Sequence, residues 1–491
     1  MKSDAVFTTF IVILWGVVAA SAMTVGFSFP AFVLATLLSI LFIATRLAAG
    51  LSALILLTML FERWFTLTPI VWRDVEYKFY PLDVLLVIII GVLAFVLLAE
   101  RDRPRLVAGD RLLLLFFFLV FIFGVVGYMR GVGETLLIGS ALKNYIFYGL
   151  LFFVASTIAR NPRIWRGTIH AMMIGGILLL PFVVIGIVRG EGLWTMLTPL
   201  STEGRRLLGF PHATALTIPF ILLLMHMLFA GQVSLKSVGV LALSGIGILG
   251  SLMRHLWLAL GVILVIAWTV LPSFARATLA RVGRRFVLLG AVFFFLLAAF
   301  MIIFPWSSVA RRVPDVTRPF VLRIQSLIHG TDDLSTSWRV DVWRASLASV
   351  AAHPFTGIGF GQPITFQSRD FIATIPVREI HNSPLVILVQ MGIIGFVVFV
   401  AAMVLLLKEW WWRLRRASAE DTPAVLGVGL AGILFLIGSL FQPYFEMNTH
   451  SVLFWILLGL MRAAPAQAEN SKSQITNSKQ TTNTNTQTVG L

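Results

Sequence analysis

The sequence predicts an all-α polytopic membrane protein: a bundle of about 12–14 transmembrane helices with a long extracytoplasmic loop containing an amphipathic helix. Three observations carry this. Of 491 residues, 58% are hydrophobic and only 12% charged, with a mean hydropathy of +0.93, where a soluble globular chain has roughly 25% charged residues. Apolar runs close to 18 residues recur along the chain, the length a helix needs to cross a bilayer. The runs are continuous rather than alternating, which excludes a β-barrel.

The segments that predict spans are Val6–Met23, Ser28–Thr45, Ala48–Phe61, Leu82–Ala99, Leu112–Tyr128, Asn144–Ile158, Thr168–Val188, Ala213–Ala230, Ser237–Leu252, Leu256–Leu271, Phe286–Phe304, Ser383–Leu407, Ala424–Phe441 and Ser451–Leu460. The third and last are short for a full crossing, so the second and third could form one broken or re-entrant element. No internal repeat and no inverted pair of broken helices is legible. The first run is followed by many others and reads as a first span rather than a cleaved leader.

Charge sets the expected orientation. With the N-terminus cytoplasmic and the spans alternating, cytoplasmic segments carry 19 Lys and Arg and short outer loops carry nine. The positive-inside bias therefore puts both termini in the cytoplasm. The same bias, with anionic membrane ligands, accounts for a net charge of +16 better than nucleic acid does. Cysteine is absent, so disulfides, thiolate zinc sites and cysteine nucleophiles are excluded.

The chain accordingly divides into an N-terminal bundle of about 11 spans over 1–304, a large outer loop over 305–382, C-terminal spans over 383–462, and a tail over 463–491. The tail is rich in Asn, Gln, Thr and Ser and is expected to be disordered. The 78-residue loop is too long for the positive-inside rule, yet holds eight Arg, no Lys and six acids. Arg without Lys suits bidentate binding of phosphate or carboxylate. Equally, several of these Arg could simply pair with Asp315, Asp332, Asp333 and Glu379.

Chemistry concentrates at a few points. In STSWRVDVWRASLASV, Ser335 to Val350, a Ser/Thr cluster with Asp341 in the first turn signals a helix start. Val340, Trp343, Leu347 and Val350 then form an apolar stripe, with Arg339 one turn before Trp343. His353-Pro354 ends that helix. The following GIGFG, Gly357 to Gly361, would let backbone approach a ligand closely, although its spacing is no dinucleotide fingerprint. At a tight outer turn, GSLMRHLWLAL places Arg254 and His255 between two spans, directed into the bundle or snorkelling to headgroups. In EGRRLLGFPHATAL, Arg205 and Arg206 precede another span. REIHNSPL, Arg378 to Leu385, puts His381 and Asn382 just before the span that starts at Ser383. Taken alone, a loop histidine is more often structural than catalytic. His212, His255, His329, His353 and His381 show no metal-ligand spacing, so no metal and no cofactor are expected.

Together these points suit a lipid-linked pyrophosphate donor, with its lipid in the bilayer and its headgroup held by Arg outside. A histidine titrating near neutrality could take the proton of an attacking sugar hydroxyl.

The same residues resemble the O-antigen ligase and O-antigen polymerase superfamily of bacterial membrane glycan ligases and polymerases. The resemblance rests on SWRVDVWRASLASVAAHPFTGIGFG followed by REIHNSPLVILVQMGIIG, through Arg339, Trp343, Pro354, Gly357, Gly359, Gly361, His381, Asn382, Gly392 and Gly395. Looser matches run through Arg206 and Gly209, and through Ser251 and Arg254. The resemblance implies a metal-independent, inverting glycosyltransferase acting on the outer face of the bacterial inner membrane. Its donor would be an undecaprenyl-diphosphate-linked glycan and its acceptor a glycan such as lipid A-core. His381 would be the base, with Arg339 and Arg254 on the diphosphate. Arg206, Arg205, Trp343, Gly357, Gly359 and Asn382 would line the substrate site or fix its geometry. A polymerase extending lipid-linked repeat units is the alternative within the family. A transporter or flippase for lipid-linked glycan is the alternative outside it, and predicts charges inside spans and broken helices in both halves.

Overall fold

In the computed structural model each predicted apolar segment is helical. The structure describes residues 2–467 except 62–68, 73, 74, 79, 100–104, 130–133, 190–205, 232, 233, 305, 307–320, 322, 323, 326–333, 369 and 370. Most of the tail and of the first half of the long loop therefore lies outside the described residues, as do Arg205, Asp315, Asp332 and Asp333.

The helices are α1 (Lys2–Thr24), α2 (Phe29–Thr45), α3 (Leu47–Leu60), α4 (Pro81–Ala99), α5 (Ala108–Met129), α6 (Thr135–Leu142), α7 (Leu150–Ile158), α8 (Pro162–Arg189), α9 (Phe210–Ala230), α10 (Leu235–Leu249), α11 (Arg254–Val270) and α12 (Ser273–Ile303). After the long loop's own helix α13 (Leu334–Ala352) come α14 (Ser383–Arg415), α15 (Thr422–Ser439) and α16 (Asn448–Ala463). Among the described residues, eight helices are long and apolar enough to cross a membrane, and α2, α3, α10 and α11 are shorter apolar helices. The protein is an all-α, multi-pass membrane protein.

Burial separates the inside of the bundle from its periphery. α3 is buried almost throughout, from Ala49 to Met59, and packs on α1, α4 and α8. α16 is buried from Thr449 to Met461 and lies against α7 and α15. α2 shows Leu34, Leu37 and Leu41 outward, as a helix facing lipid would. α2 and α3 are separate helices joined at the single residue Arg46.

Among the described residues two helices are broken, one in each half. Between α6 and α7 the backbone takes a π-helical turn, Lys143–Phe147. Within α14, Gly392 leaves the helix with φ 62°. Broken helices in both halves were the transporter reading's expectation. At Gly392, however, the freed backbone groups are engaged by the chain itself: the amides of Ile358 and Gly359 donate to the carbonyls of Val389 and Gln390, and that of Ile393 donates to Pro354.

The loops sort onto two ends of the bundle. At one end Arg166 pairs with Asp421 at 2.8 Å, Arg462 with Asp110 at 3.2 Å, and Arg413 with Glu409 at 2.9 Å. These come from segments that the charge count assigned to a common side. At the other end the Leu207 amide donates to Gly250 and the Glu134 amide to Gly361, which joins four of the predicted outer segments in two pairs.

The long loop is more structured than its sequence suggested. α13 is followed by an antiparallel hairpin, β3 (Pro363–Ser368) and β4 (Phe371–Pro376), and a short 3-10 turn at Val377–Glu379. A second hairpin, β1 (Pro69–Trp72) with β2 (Val75–Lys78), precedes α4. Neither was legible, because four- to six-residue strands among long helices carry little periodic signal. α13 starts at Leu334, so Asp341 lies two turns in rather than in the first turn. Its buried face also differs from the expected stripe. Val342 and Ser346 are fully buried, while Val340 and Leu347 are 38% and 54% exposed. Val342 packs into a small second core with Ile364, Phe366, Val377, Ile380 and Val386. The loop thus has its own apolar centre, seated on the start of α14.

Candidate functional site

The site is built on the last residues of the long loop. His381 occupies the left-handed backbone region, φ 55°, uncommon for a residue with a Cβ and held only where surrounding contacts over-determine it. The Trp343 indole N–H donates to the Ile380 carbonyl at 2.9 Å. The Trp338 ring meets the His381 ring edge-on at 5.5 Å. Asn382 caps α14, its Oδ1 accepting from the Leu385 amide at 3.0 Å. Asn382 therefore fixes the loop's entry into the helix. Trp343 holds the histidine's backbone, a use different from the substrate contact expected of it.

His381 Nδ1 lies 2.8 Å from Gln442 Oε1, in the turn between α15 and α16. An amide oxygen can only accept, so this contact puts the proton on Nδ1 and leaves the Nε2 lone pair available. Burial pushes the His381 imidazolium below its ordinary range; the Gln442 bond opposes this and the Arg339 charge adds to it. The ring is therefore neutral at physiological pH, the form a general base requires.

Two of the arginines converge on His255 from different elements. His255 in the first turn of α11 is within electrostatic range of Arg339 on α13, His450 on α16, His381, and Arg206 before α9. Arg206 is buried, and its chain neighbour Leu207 is fastened to the α10–α11 turn through Gly250. Arg254 starts α11 directly after that turn, where Leu252 has φ 57° and Ser251 is fully buried. The tight turn expected around Arg254 and His255 is thus present. Four aromatic or imidazole rings floor the site: His450 lies 4.3 Å from the Phe210 ring and 4.7 Å from Tyr444, and His255 lies 5.4 Å from Phe210. His212, one turn into α9, points elsewhere, with Nε2 3.0 Å from the Leu60 carbonyl.

The glycines serve the chain's own packing. A Cβ on Gly357 would meet the Val389 carbonyl oxygen at 2.3 Å, and one on Gly392 would meet the Phe355 carbonyl at 2.3 Å. Both also have positive φ. The close backbone approach expected of GIGFG is to the break in α14. At Gly359, φ 90°, a Cβ would meet nothing within 4 Å.

Several participants were missed from sequence. Gln442, Tyr444, Glu446 and His450 all come from QPYFEMNTH, read only as the connection between the last two spans. Six polar or titratable side chains in nine residues, amid apolar runs, were the available signal. Glu446 is half-buried against Tyr145 and Ser383, both of which donate to its carboxylate. Burial, outweighing those donors, pushes its carboxyl up to about 7.

Residues 239–400 match the family model Wzy_C, described as O-antigen ligase. This third of the chain is similar to the O-antigen ligase domain. The matched stretch runs from α10 through the break in α14, so this domain includes Arg254, His255, Arg339, Trp343 and His381. Arg206 and the Gln442–His450 segment lie outside it and are contributed by the flanking helices. A comparison with curated proteins finds no match.

Proposed function

We propose that this membrane protein is a glycosyltransferase of the O-antigen ligase family that moves a glycan from a lipid-linked diphosphate to a hydroxyl of an acceptor sugar. The donor expected from the resemblance is undecaprenyl diphosphate, and the acceptor a glycan such as lipid A-core. The loops bearing Arg206, Arg254, Arg339 and His381 would face the outer side of the bacterial inner membrane. One observation carries the reading: a neutral histidine whose Nδ1 is committed to Gln442 stands within electrostatic range of half-buried Arg339, and His255 lies within range of both of these and of buried Arg206.

The chemistry follows from those groups. Arg339, Arg254 and Arg206 would hold the diphosphate oxygens, and their fixed guanidinium forks would stabilise the charge that grows on the leaving group. His381 Nε2 would take the proton of the acceptor hydroxyl as its oxygen attacks the anomeric carbon. The C–O bond to the new sugar forms as the bond to the diphosphate breaks, with inversion. The diphosphate leaves as the lipid-linked anion, and no metal is required by these groups. The N-terminal turn of α11, which no side chain caps, adds its partial positive charge at the same end.

The test uses vesicles that contain defined lipid-linked glycan with and without a separate acceptor. His381→Asn keeps a residue that tolerates the left-handed conformation while removing the base. Transfer should be lost with donor binding retained; full activity in this variant would remove His381 from the mechanism. Products also separate ligation, which needs the acceptor, from polymerisation, which lengthens lipid-linked chains alone.

A further inference from the structure

Near the proposed donor site a small cavity opens between the π-helical turn of α6–α7, the 3-10 turn of the long loop and α14. Asn144, Glu446, Gln390, Arg378 and Ser140 line it. Asn144 is 1% exposed and Gln390 5%, yet Asn144 Oδ1 and Gln390 Oε1 have no hydrogen-bond partner among the described residues. Orphaned buried carbonyl oxygens cost free energy and are rare in native proteins. The identity of the Asn144 atom is fixed by its neighbour, because its amide nitrogen donates to the Glu446 carbonyl at 2.6 Å. Both free atoms are therefore acceptors that call for an O–H or N–H from outside the protein.

The shape and charge of the cavity decide which donor. Its centre has room for about one water-sized group, so a hydroxyl enters and a sugar ring stays at the mouth. Arg378, whose guanidinium reaches Ser140 at 3.5 Å, stands in the wall and disfavours a metal cation or an ammonium. The cavity also adjoins the proposed base. Glu446 accepts from Ser383 Oγ at 2.5 Å, Ser383 reaches the Gln442 carbonyl at 3.3 Å, and Gln442 holds His381.

We propose that this cavity is an acceptor subsite, in which Asn144 Oδ1 and Gln390 Oε1 receive a hydroxyl of the acceptor sugar and thereby orient a neighbouring hydroxyl toward His381. This rests on the transfer reading for the role of the sugar, and on the cavity alone for the binding of a hydroxyl. It makes Gln390 and Asn144 specificity-determining residues, since a site with committed acceptors rejects an analogue that lacks the matching hydroxyl.

The experiment has a binding arm and a kinetic arm on the full chain in detergent or vesicles. Saturation-transfer NMR with neutral methyl glucoside, methyl galactoside and their monodeoxy counterparts reports contact with the protein. Contact is expected for the parent glycosides, weakened about tenfold in affinity by removal of one particular hydroxyl. Gln390→Met, which keeps the side-chain volume, should abolish that distinction, and His381→Asn should leave it unchanged. In transfer assays Gln390→Met should raise the acceptor KM about tenfold and leave donor KM unaltered. Where Gln390→Met does not fold, the deoxy series on the wild-type protein carries the same comparison. Hydroxyl-dependent binding without any glycan transfer would overturn the transfer reading and leave the hydroxyl site standing. Transfer with an acceptor KM indifferent to Gln390→Met, or no contact with any glycoside, would overturn the subsite and assign the cavity to a bound water.

Discussion

His381 Nδ1 and Gln442 Oε1 are 2.8 Å apart, across 61 residues of chain. The contact commits one ring nitrogen and so decides which nitrogen can accept a proton. Gln442→Leu removes the commitment and should lower the transfer rate by about 10²-fold, the smaller end of what a positioned base contributes. Gln442→Glu should keep the tautomer and instead raise the histidine's pKa, which moves the acid limb of the pH–rate profile upward. A Gln442→Glu profile superimposable on wild type would remove this role.

In the wild-type enzyme burial holds His381 below the usual histidine range. Activity should therefore be flat through neutrality and fall only as pH drops below about 6.5. Rate measurements from pH 5 to 8 at saturating donor check this.

Trp343 is 37 residues from Ile380 and donates to its carbonyl. Trp343→Phe keeps the ring's packing and deletes one hydrogen bond, a loss of about 1 kcal/mol. Because that bond steadies the residue before His381, kcat should fall several-fold while donor affinity stays level. A fall in donor affinity alone would return Trp343 to the substrate wall.

Arg339→Lys preserves charge but not the planar fork. If Arg339 grips the diphosphate, donor affinity and transfer should both drop by tenfold or more. Titration with a lipid-linked donor, read alongside activity, distinguishes this from a general electrostatic effect.

Glu446 is ionised less readily in the folded protein than outside it, its carboxyl lying near 7 against roughly 4.3 unperturbed. The folded state therefore binds the extra proton, and the stability tied to it is fully present below the unfolded value and lost as pH rises through about 7. Wild-type thermal stability should decline from about pH 4.5 to about pH 7 and level off above it. In Glu446→Gln that decline should be smaller, measured by melting in the same detergent.

Glycine substitutions separate two kinds of constraint. Gly357→Ala and Gly392→Ala add a methyl where backbone atoms already stand 2.3 Å away, and should destabilise severely, by about 3 kcal/mol or more. Gly359→Ala adds one into open space and meets only the cost of its φ, roughly 1–2 kcal/mol. Thermal melting of the three variants orders them.

The bundle was legible because a membrane span announces itself locally: α4 and α5 are unbroken apolar runs whatever they touch. His381 and Arg339 stood out as candidates for a similar reason, as they sit in a compact motif. Gln442 and Glu446 did not, since their meaning lies in contacts with residues 61 and 63 positions away. The use of GIGFG was misjudged because a glycine run shows that backbone must come close without showing to what. The unexpected hairpin β3–β4 also follows from position. Ile364 and Phe366 alternate inward only because α13 and the start of α14 supply a surface for them.

The break in α14 has one more consequence. Hydrogen bonds run from Pro354, Ile358 and Gly359 to the carbonyls and amides around Gly392, so the end of α13 is splinted to the second turn of the span that His381 introduces. Two residues 42 positions apart, Arg339 and His381, thus sit on a single brace. Arg206 and Arg254 are mounted on a different frame, the α9 to α11 part of the bundle. If these arginines grip a diphosphate as proposed, it would act as a clasp between the two, and the fit of brace to frame would then report whether a donor is in place.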